Sequence, residues 1–287
     1  MRLIALVLAV AWGLNWPAVR IMLTALPPFS MRFMGLGGGA LLLVLLALAQ
    51  RKSLLPARSA WPFVLAGGML TVALFNVSTA FAQLATSTSR AAVLTFTMPL
   101  IAAALAWWLL GERPDRRASA ALVIGGAGIA VLAAPVLSAP LSTAAARGLG
   151  LPLLAALAWA AGTVATKRWP PGGDRIVLTA WQLAIGAACA GLAALLAGEE
   201  LPTVWPLRVQ VAMAYHILIA TAVAYVLWYR LLSSTTATVA ALTTLAVPVV
   251  GVLGAMSLVG ERPAPADWAG FALVLSGAAL VLLRPAR

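Results

Sequence analysis

The sequence holds a single cysteine, Cys189, and a single histidine, His216. One thiol excludes an internal disulfide and any cysteine-based metal site. One imidazole excludes a multi-histidine metal centre. Charge is also scarce, because only 9% of the 287 residues are Asp, Glu, Lys or Arg, far fewer than a soluble domain of this size needs to cover its surface. The seven acidic residues (Glu112, Asp115, Asp174, Glu199, Glu200, Glu261 and Asp267) all fall between apolar runs or at their ends. No carboxylate is therefore expected in mid-membrane to hold a proton, a sodium ion or a cationic drug. The same shortage excludes the acid/base or metal constellation of a membrane-embedded hydrolase, so the chain is expected to be no enzyme and to use no cofactor.

Apolar residues fill the space: 63% of the chain is hydrophobic and the mean hydropathy is +1.02. A membrane-crossing helix needs roughly 20 such residues to cover about 30 Å of hydrocarbon. The first half then reads as spans at Leu3–Leu23, Phe29–Ala49, Trp61–Leu84, Ala91–Leu110 and Ala118–Val136. The second half reads as Leu149–Thr166, Ile176–Ala197, Val209–Tyr229, Thr235–Val259 and Ala266–Leu283. The run at Leu3–Val10 resembles a signal-peptide core, but it continues through Trp12 and Trp16 without a cleavage site and is read as a retained first span. The five-residue link Ala85-Thr86-Ser87-Thr88-Ser89 predicts an antiparallel hairpin of the third and fourth spans.

A net charge of +12 would suggest nucleic acid in a soluble chain. Here the basic residues sit at span ends, where they set orientation, and no basic face remains for nucleic acid. With the N-terminus cytoplasmic, 13 Lys and Arg fall inside and 6 outside, so both termini are expected in the cytoplasm.

The chain is duplicated. Thr86–Pro114 aligns without gaps on Thr235–Pro263 at an offset of 149, matching Thr95 to Thr244, Pro99 to Pro248 and one Gly-Glu-Arg-Pro to another at 111–114 and 260–263. An offset of 147 places Trp12 on Trp159 and Arg20 on Lys167, and one of 151 places Gly126 on Gly277. Each half (1–137 and 148–287) would hold five spans, an odd number, so the second half should be inverted. Inverted repeats around a midplane site are a mark of secondary transporters. Ten spans in two five-helix halves, with a proline in each fourth helix followed by Gly-Glu-Arg-Pro, resemble the EamA family of the drug/metabolite transporter superfamily. Within it the chain is most similar to YddG-type amino-acid exporters of bacterial inner membranes. That resemblance implies an all-α, multi-pass inner-membrane protein that exports aromatic and other amphipathic amino acids, or similar metabolites, by alternating access. Its partners would be the small-molecule substrate and the lipid bilayer, and it would be a monomer or weak homodimer. Small multidrug relatives carry a first-helix glutamate where the polar residue here is Asn15, which argues against drug/proton exchange.

Several polar and aromatic side chains are candidates for a central cavity. Trp12, Asn15, Trp16 and Val19 share one face of the first helix at i, i+3, i+4, i+7, and Trp159 and Thr163 are their counterparts in the sixth. Asn76, Thr79, Gln83 and Thr86 form a polar stripe on the third helix, and Thr221, Tyr225 and Trp228 one on the eighth; a lipid-facing stripe of this kind would be costly. Interhelical hydrogen bonding is the structural alternative for all of them. Pro99 and Pro248 are read as mid-span hinges that free the carbonyls of Thr95 and Thr244. At about 100° per residue His216 lies about 180° from Tyr225, so the two are not expected to line one cavity. Arg20, Arg32 and Arg90 are expected to snorkel to the headgroups. Glu112 and Glu261 are expected to start the fifth and tenth helices at their positive ends. The glycines at 35 and 37–39, and at 125, 126 and 128, permit close helix approach.

A carrier of nucleotide sugars or other phosphorylated metabolites would need basic residues converging in mid-membrane, and none are evident in the sequence. A non-transporting receptor or scaffold is the alternative of another class, and an inverted repeat gives it no use.

Overall fold

The computed structural model describes residues 2–111, 114–137, 143–169, 172–235 and 246–282. Among them every regular element is helical. The first half contains α1 (Arg2–Met22) and α2 (Pro28–Ala49). A long stretch follows, made of a 3₁₀ turn at Arg58–Ala60, α3 (Trp61–Ala66), a π-helical segment (Gly67–Leu74) and α4 (Phe75–Ala85). The half closes with α5 (Thr88–Thr95), α6 (Met98–Leu110) and α7 (Arg116–Leu137). The second half runs through α8 (Thr143–Arg168) and α9 (Arg175–Ala197) to a stretch of α10 (Leu207–Tyr215), a second π segment (His216–Val223) and α11 (Ala224–Ser234). It ends with α12 (Val247–Val259) and α13 (Pro265–Leu282).

Six of these stretches, by length and composition, can cross a membrane, and two further apolar helices are shorter. Leu195 and Leu196 are each 81% exposed and Leu45 is 56% exposed, apolar area that water would penalise and lipid accepts. Inside, small residues let the helices close up. A Cβ at Gly277 would stand 3.0 Å from the Ala121 carbonyl oxygen and 3.1 Å from the Gly125 nitrogen, so α13 packs against α7 almost backbone to backbone.

The duplication extends into details that composition does not encode. The two π segments hold eight residues each and lie 149 positions apart, the offset of the Gly-Glu-Arg-Pro pair. Two contacts also repeat with bulk exchanged between partners. His216 presses on Gly35, where a Cβ would come within 2.4 Å of its ring, and Gln182 presses on Gly67, where a Cβ would come within 2.2 Å of its amide. Gly35 corresponds to Gln182 and Gly67 to His216. The first half therefore supplies the glycine and the second half the large polar side chain at both copies of what is the same helix crossing.

Two helix starts of the first half are held by acids of the second. Pro27 cannot cap α2, and Glu199 accepts hydrogen bonds from the backbone nitrogens of Phe29 (3.1 Å) and Ser30 (2.6 Å) instead. At the corresponding start of α9, Asp174 caps Ile176 at 2.9 Å and Val177 at 3.3 Å, and Lys52 of the first half pairs with it at 2.6 Å. Glu261 differs from the sequence expectation. Pro265 opens α13 four residues later, and the Glu261 carboxylate folds back onto α5. There it accepts from the backbone nitrogens of Thr88 (2.7 Å) and Ser89 (3.0 Å) and from the Ser89 hydroxyl. It thus occupies the positive end of a helix in the opposite half. Its counterpart Glu112 lies outside the described residues. Burial pushes the Glu261 carboxyl up, but the hydrogen bonds from Ser89 and Thr88 outweigh it and hold the group below its ordinary value of 4.5.

Two outcomes are expected. Gly67→Ala should lower the thermal midpoint in detergent, with a cost of about 1–3 kcal/mol from overpacking, and Gln182→Ala should recover part of that loss. Strictly additive costs in the double variant would show that the two residues do not share a contact. Glu261→Gln should cost about 1 kcal/mol at neutral pH. Because the folded carboxyl titrates below its unfolded value, its contribution is present above pH 4.5 and is lost as pH falls through the folded value. The difference between wild type and Glu261→Gln should therefore close on acidification, as read by melting midpoints.

Candidate functional site

At the centre of the fold the two halves meet through aromatic rings. The Trp12 and Trp159 centroids lie 5.1 Å apart with planes at 89°, so repeat-related tryptophans stack edge to face. Tyr225 and Trp228 join Trp12 at 5.9 and 5.7 Å, and Phe75 joins Trp159 at 4.7 Å. Such pairs each add about 0.5–1.5 kcal/mol beyond burial. Their polar edges are directed across the interface. The Trp12 indole donates to the Ala220 carbonyl oxygen at 3.0 Å. The Asn76 amide donates to the Tyr225 hydroxyl at 2.8 Å and to the Val72 carbonyl at 2.8 Å, and Tyr225 donates onward to the Thr71 carbonyl at 3.3 Å. Asn76 and Tyr225 are themselves repeat mates, 149 positions apart.

These side chains enclose a cavity of about 40 Å³, lined among others by Trp12, Asn15, Trp16, Phe75, Asn76, Phe96, Trp159, His216, Thr221 and Tyr225. A second cavity of about 30 Å³ shares Asn15, Trp16, Phe75 and Asn76 and adds Val19, Arg32, Thr79 and Gln83. Each has room for about one water molecule, so the centre is contracted around its walls. A third, wider cavity of about 340 Å³ is lined by Phe63, Thr166, Lys167, Gly173, Arg175, Leu178, Thr179, Tyr229, Leu232 and Ser233.

The structure brings together Trp12, Asn15, Trp16, Asn76, Trp159 and Tyr225 around the first cavity, and Thr79 and Gln83 with part of that set around the second. Trp228 is fully buried behind Trp12 and Trp159. Thr95 and Thr163 are buried, line neither cavity, and their hydroxyls have no hydrogen-bond partner among the described residues. Thr244 lies outside the described residues.

Three expectations need correction. The pair His216 and Tyr225 does line one cavity. The intervening segment is π-helical, each of its turns holds more residues than an α turn, and the accumulated phase change brings the two to one side. His216 Nδ1 lies 2.7 Å from the Asn15 side-chain oxygen. The prolines also sit differently from a kink inside a continuous helix. The chain breaks at Phe96-Thr97, between α5 and α6, and Pro99 is the second residue of the new helix. Pro248 takes the same place in α12. A first-turn proline loses a hydrogen bond that the helix end would not have made, so the discontinuity is built into the backbone. Arg32, finally, does not snorkel, being 1% exposed. Its guanidinium donates through Nη2 to Thr79 Oγ1 at 3.1 Å, while Nε and Nη1 have no partner among the described residues. Sequence reasoning missed it because a position one turn inside a span does not say which way the side chain points.

A pair of matched contacts flanks the centre. Arg20 donates to the Gln83 carbonyl oxygen, and Lys167 donates to the carbonyl oxygens of Leu232, at 3.1 Å, and of Thr235. Arg20 corresponds to Lys167 and Gln83 to Leu232 in the repeat. The end of α1 packs its Val19 and Met22 with Val209 and Met213 of α10, whereas the end of α8 reaches Leu232 of α11. The two helices therefore finish at opposite ends of the Leu207–Ser234 stretch.

The solved structures include one crystal structure with a TM-score of 0.74 at 23% sequence identity, aligned over 98% of this chain and 96% of that one, which establishes a shared fold. By sequence, the chain is 25% identical over 274 residues to the uncharacterized transporter YvbV of Bacillus subtilis (strain 168), covering 96% of this chain and 88% of that protein. It is 29% identical over 236 residues to the protein PecM of Dickeya dadantii (strain 3937), covering 80% and 76%. The EamA-like transporter family model matches twice, over residues 2–134 and 146–283. This multi-pass membrane protein of two repeats is therefore a member of the EamA-like transporter family.

Proposed function

We propose that the chain is an alternating-access exporter of aromatic and other amphipathic amino acids, or of similar small metabolites, in a bacterial inner membrane. In this reading ten spans form two inverted five-helix repeats, and both termini are cytoplasmic. The substrate binds among Trp12, Asn15, Trp16, Asn76, Thr79, Gln83, Trp159 and Tyr225. Trp228, Thr95, Thr163 and Thr244 support those walls.

One observation carries the reading: matched positions border a wide cavity in one half and an apolar cluster in the other. Gly173, Leu178 and Tyr229 line the cavity of about 340 Å³. Their repeat counterparts Leu26, Met31 and Ala80 pack into an apolar cluster with Met22 and Val209. Two halves built alike but held differently are what an exchange of inward- and outward-facing states requires. The opposed ends of α1 and α8 support the inversion. The helix break before Pro99 supports rigid-body movement, because a broken helix can change angle there without losing an internal hydrogen bond, and Pro248 holds the matching place at the start of its helix.

Purified protein in liposomes should exchange labelled phenylalanine or tryptophan with internal unlabelled amino acid. With no carboxylate expected in mid-membrane, the rate should not depend on an imposed pH gradient. Exchange that vanishes without the gradient would reject downhill transport, and no exchange of any amino acid would reject the substrate class. Pro99→Ala restores an N–H and lets the helix close over the break at Phe96-Thr97, and Pro248→Ala restores one at the matching position, so flux should fall roughly tenfold in each, about 1.4 kcal/mol on the barrier, with an unchanged circular-dichroism spectrum. Wild-type flux in both variants would remove the hinge role.

A further inference from the structure

Arg32 is the one charged side chain among the described buried residues, and it lies one turn into a helix long and apolar enough to span a membrane. Among the described residues two of its guanidinium nitrogens, Nε and Nη1, have no partner, and only Nη2 is engaged, by the neutral hydroxyl of Thr79 at 3.1 Å. The ion pair of Lys52 and Asp174 lies away from this site. A cation removed from water without a counter-charge is expensive, by several kcal/mol after relaxation. Buried donors left open are as a rule explained by a ligand or by water.

Arg32 also borders the site already described. It lines the small cavity that shares Asn15, Trp16, Phe75 and Asn76 with the aromatic one. The side-chain oxygen of Gln83, buried and without a partner, lines the same compartment. A ring held among Trp12, Phe75, Trp159 and Tyr225 could thus extend a short arm past Asn76 to a guanidinium. A guanidinium presents paired N–H donors in the geometry of a carboxylate. Nothing among the described buried residues offers a negative charge to an ammonium group.

Resting on the transporter reading above, we propose that Arg32 is the anion-binding residue of the central site, and that the preferred substrates are aromatic carboxylates, recognised by the acid group and not by an amine. Arg32 then acts as the resident counter-charge: it neutralises the substrate's carboxylate in the membrane interior, and Thr79 orients the guanidinium.

Ligand binding can be read from the tryptophan fluorescence of the full chain in detergent, without flux. The probes are 3-phenylpropionate, its neutral amide, phenylalanine and phenethylamine. In the wild type the acid should bind roughly tenfold more tightly than the amide, the size of one charge-assisted contact, with the amine weakest. Arg32→Gln should abolish the preference for the acid while the amide still binds, which also shows that the variant is folded. Arg32→Lys should restore part of the preference, and this arm decides the matter if Arg32→Gln does not fold. Equal binding of acid and amide by the wild type, or an acid preference that survives in Arg32→Gln, would overturn the proposal and leave the transporter reading intact. Tighter binding of dianionic phenethylphosphonate than of the acid would overturn the carboxylate assignment. Binding of none of the probes would overturn both readings.

Discussion

A polar group in the hydrocarbon interior must find its partner within the protein, since no water or lipid headgroup can supply one. For several interior polar side chains the chain meets this constraint at the boundary between the halves. Asn76 bonds to Tyr225, Asn15 contacts His216, Trp12 donates to Ala220 and Gln182 donates to Phe63. Each of these bonds joins one half to the other. So do the acids at the helix starts, with Glu199 on α2 and Glu261 on α5. The outer surface is left to side chains such as Leu195 and Leu196, which need no partner. Satisfying the polar groups and fastening the halves together are one task here.

The same arrangement divides the contacts that movement would disturb from those it would leave alone. Arg20 to Gln83 lies within the first half, and Lys167 to Leu232 lies within the second. A rocking of one half on the other changes the cross-half set and spares these two clamps. The residues Leu26, Met31 and Ala80 pack into an apolar cluster, whereas the corresponding Gly173, Leu178 and Tyr229 border a cavity of about 340 Å³.

What the sequence made legible follows from periodicity and repetition. The apolar runs, the polar stripe of Asn76, Thr79 and Gln83, the tryptophan face of α1 and the pairing of the Gly-Glu-Arg-Pro segments each reflect a regular spacing, and α-helical geometry translates spacing into position. Reasoning failed where the geometry stopped being α-helical or where a contact depended on another helix. The π segments at Gly67–Leu74 and His216–Val223 share no sequence signal, one opening on Gly67-Gly68 and the other on His216-Ile217, yet the second decides that His216 and Tyr225 share a cavity. Arg32 and Glu261 are each set by a neighbour distant in sequence: Thr79 for one, and the free amides of Thr88 and Ser89 for the other.

The two π segments also explain why the halves can share a backbone while differing in chemistry. Both crossings need a large side chain facing a glycine, because the helices there approach too closely for two side chains of any size. The requirement fixes bulk and leaves the choice of large residue open. One crossing is filled by His216 over Gly35, whose imidazole then reaches Asn15, and the other by Gln182 over Gly67, whose amide reaches the Phe63 carbonyl. Of the two, only His216 also faces the cavity. Pairing is therefore met symmetrically, and the binding walls are free to be asymmetric. That freedom allows one fold with two similar halves to present a single oriented site to a substrate that has no symmetry of its own.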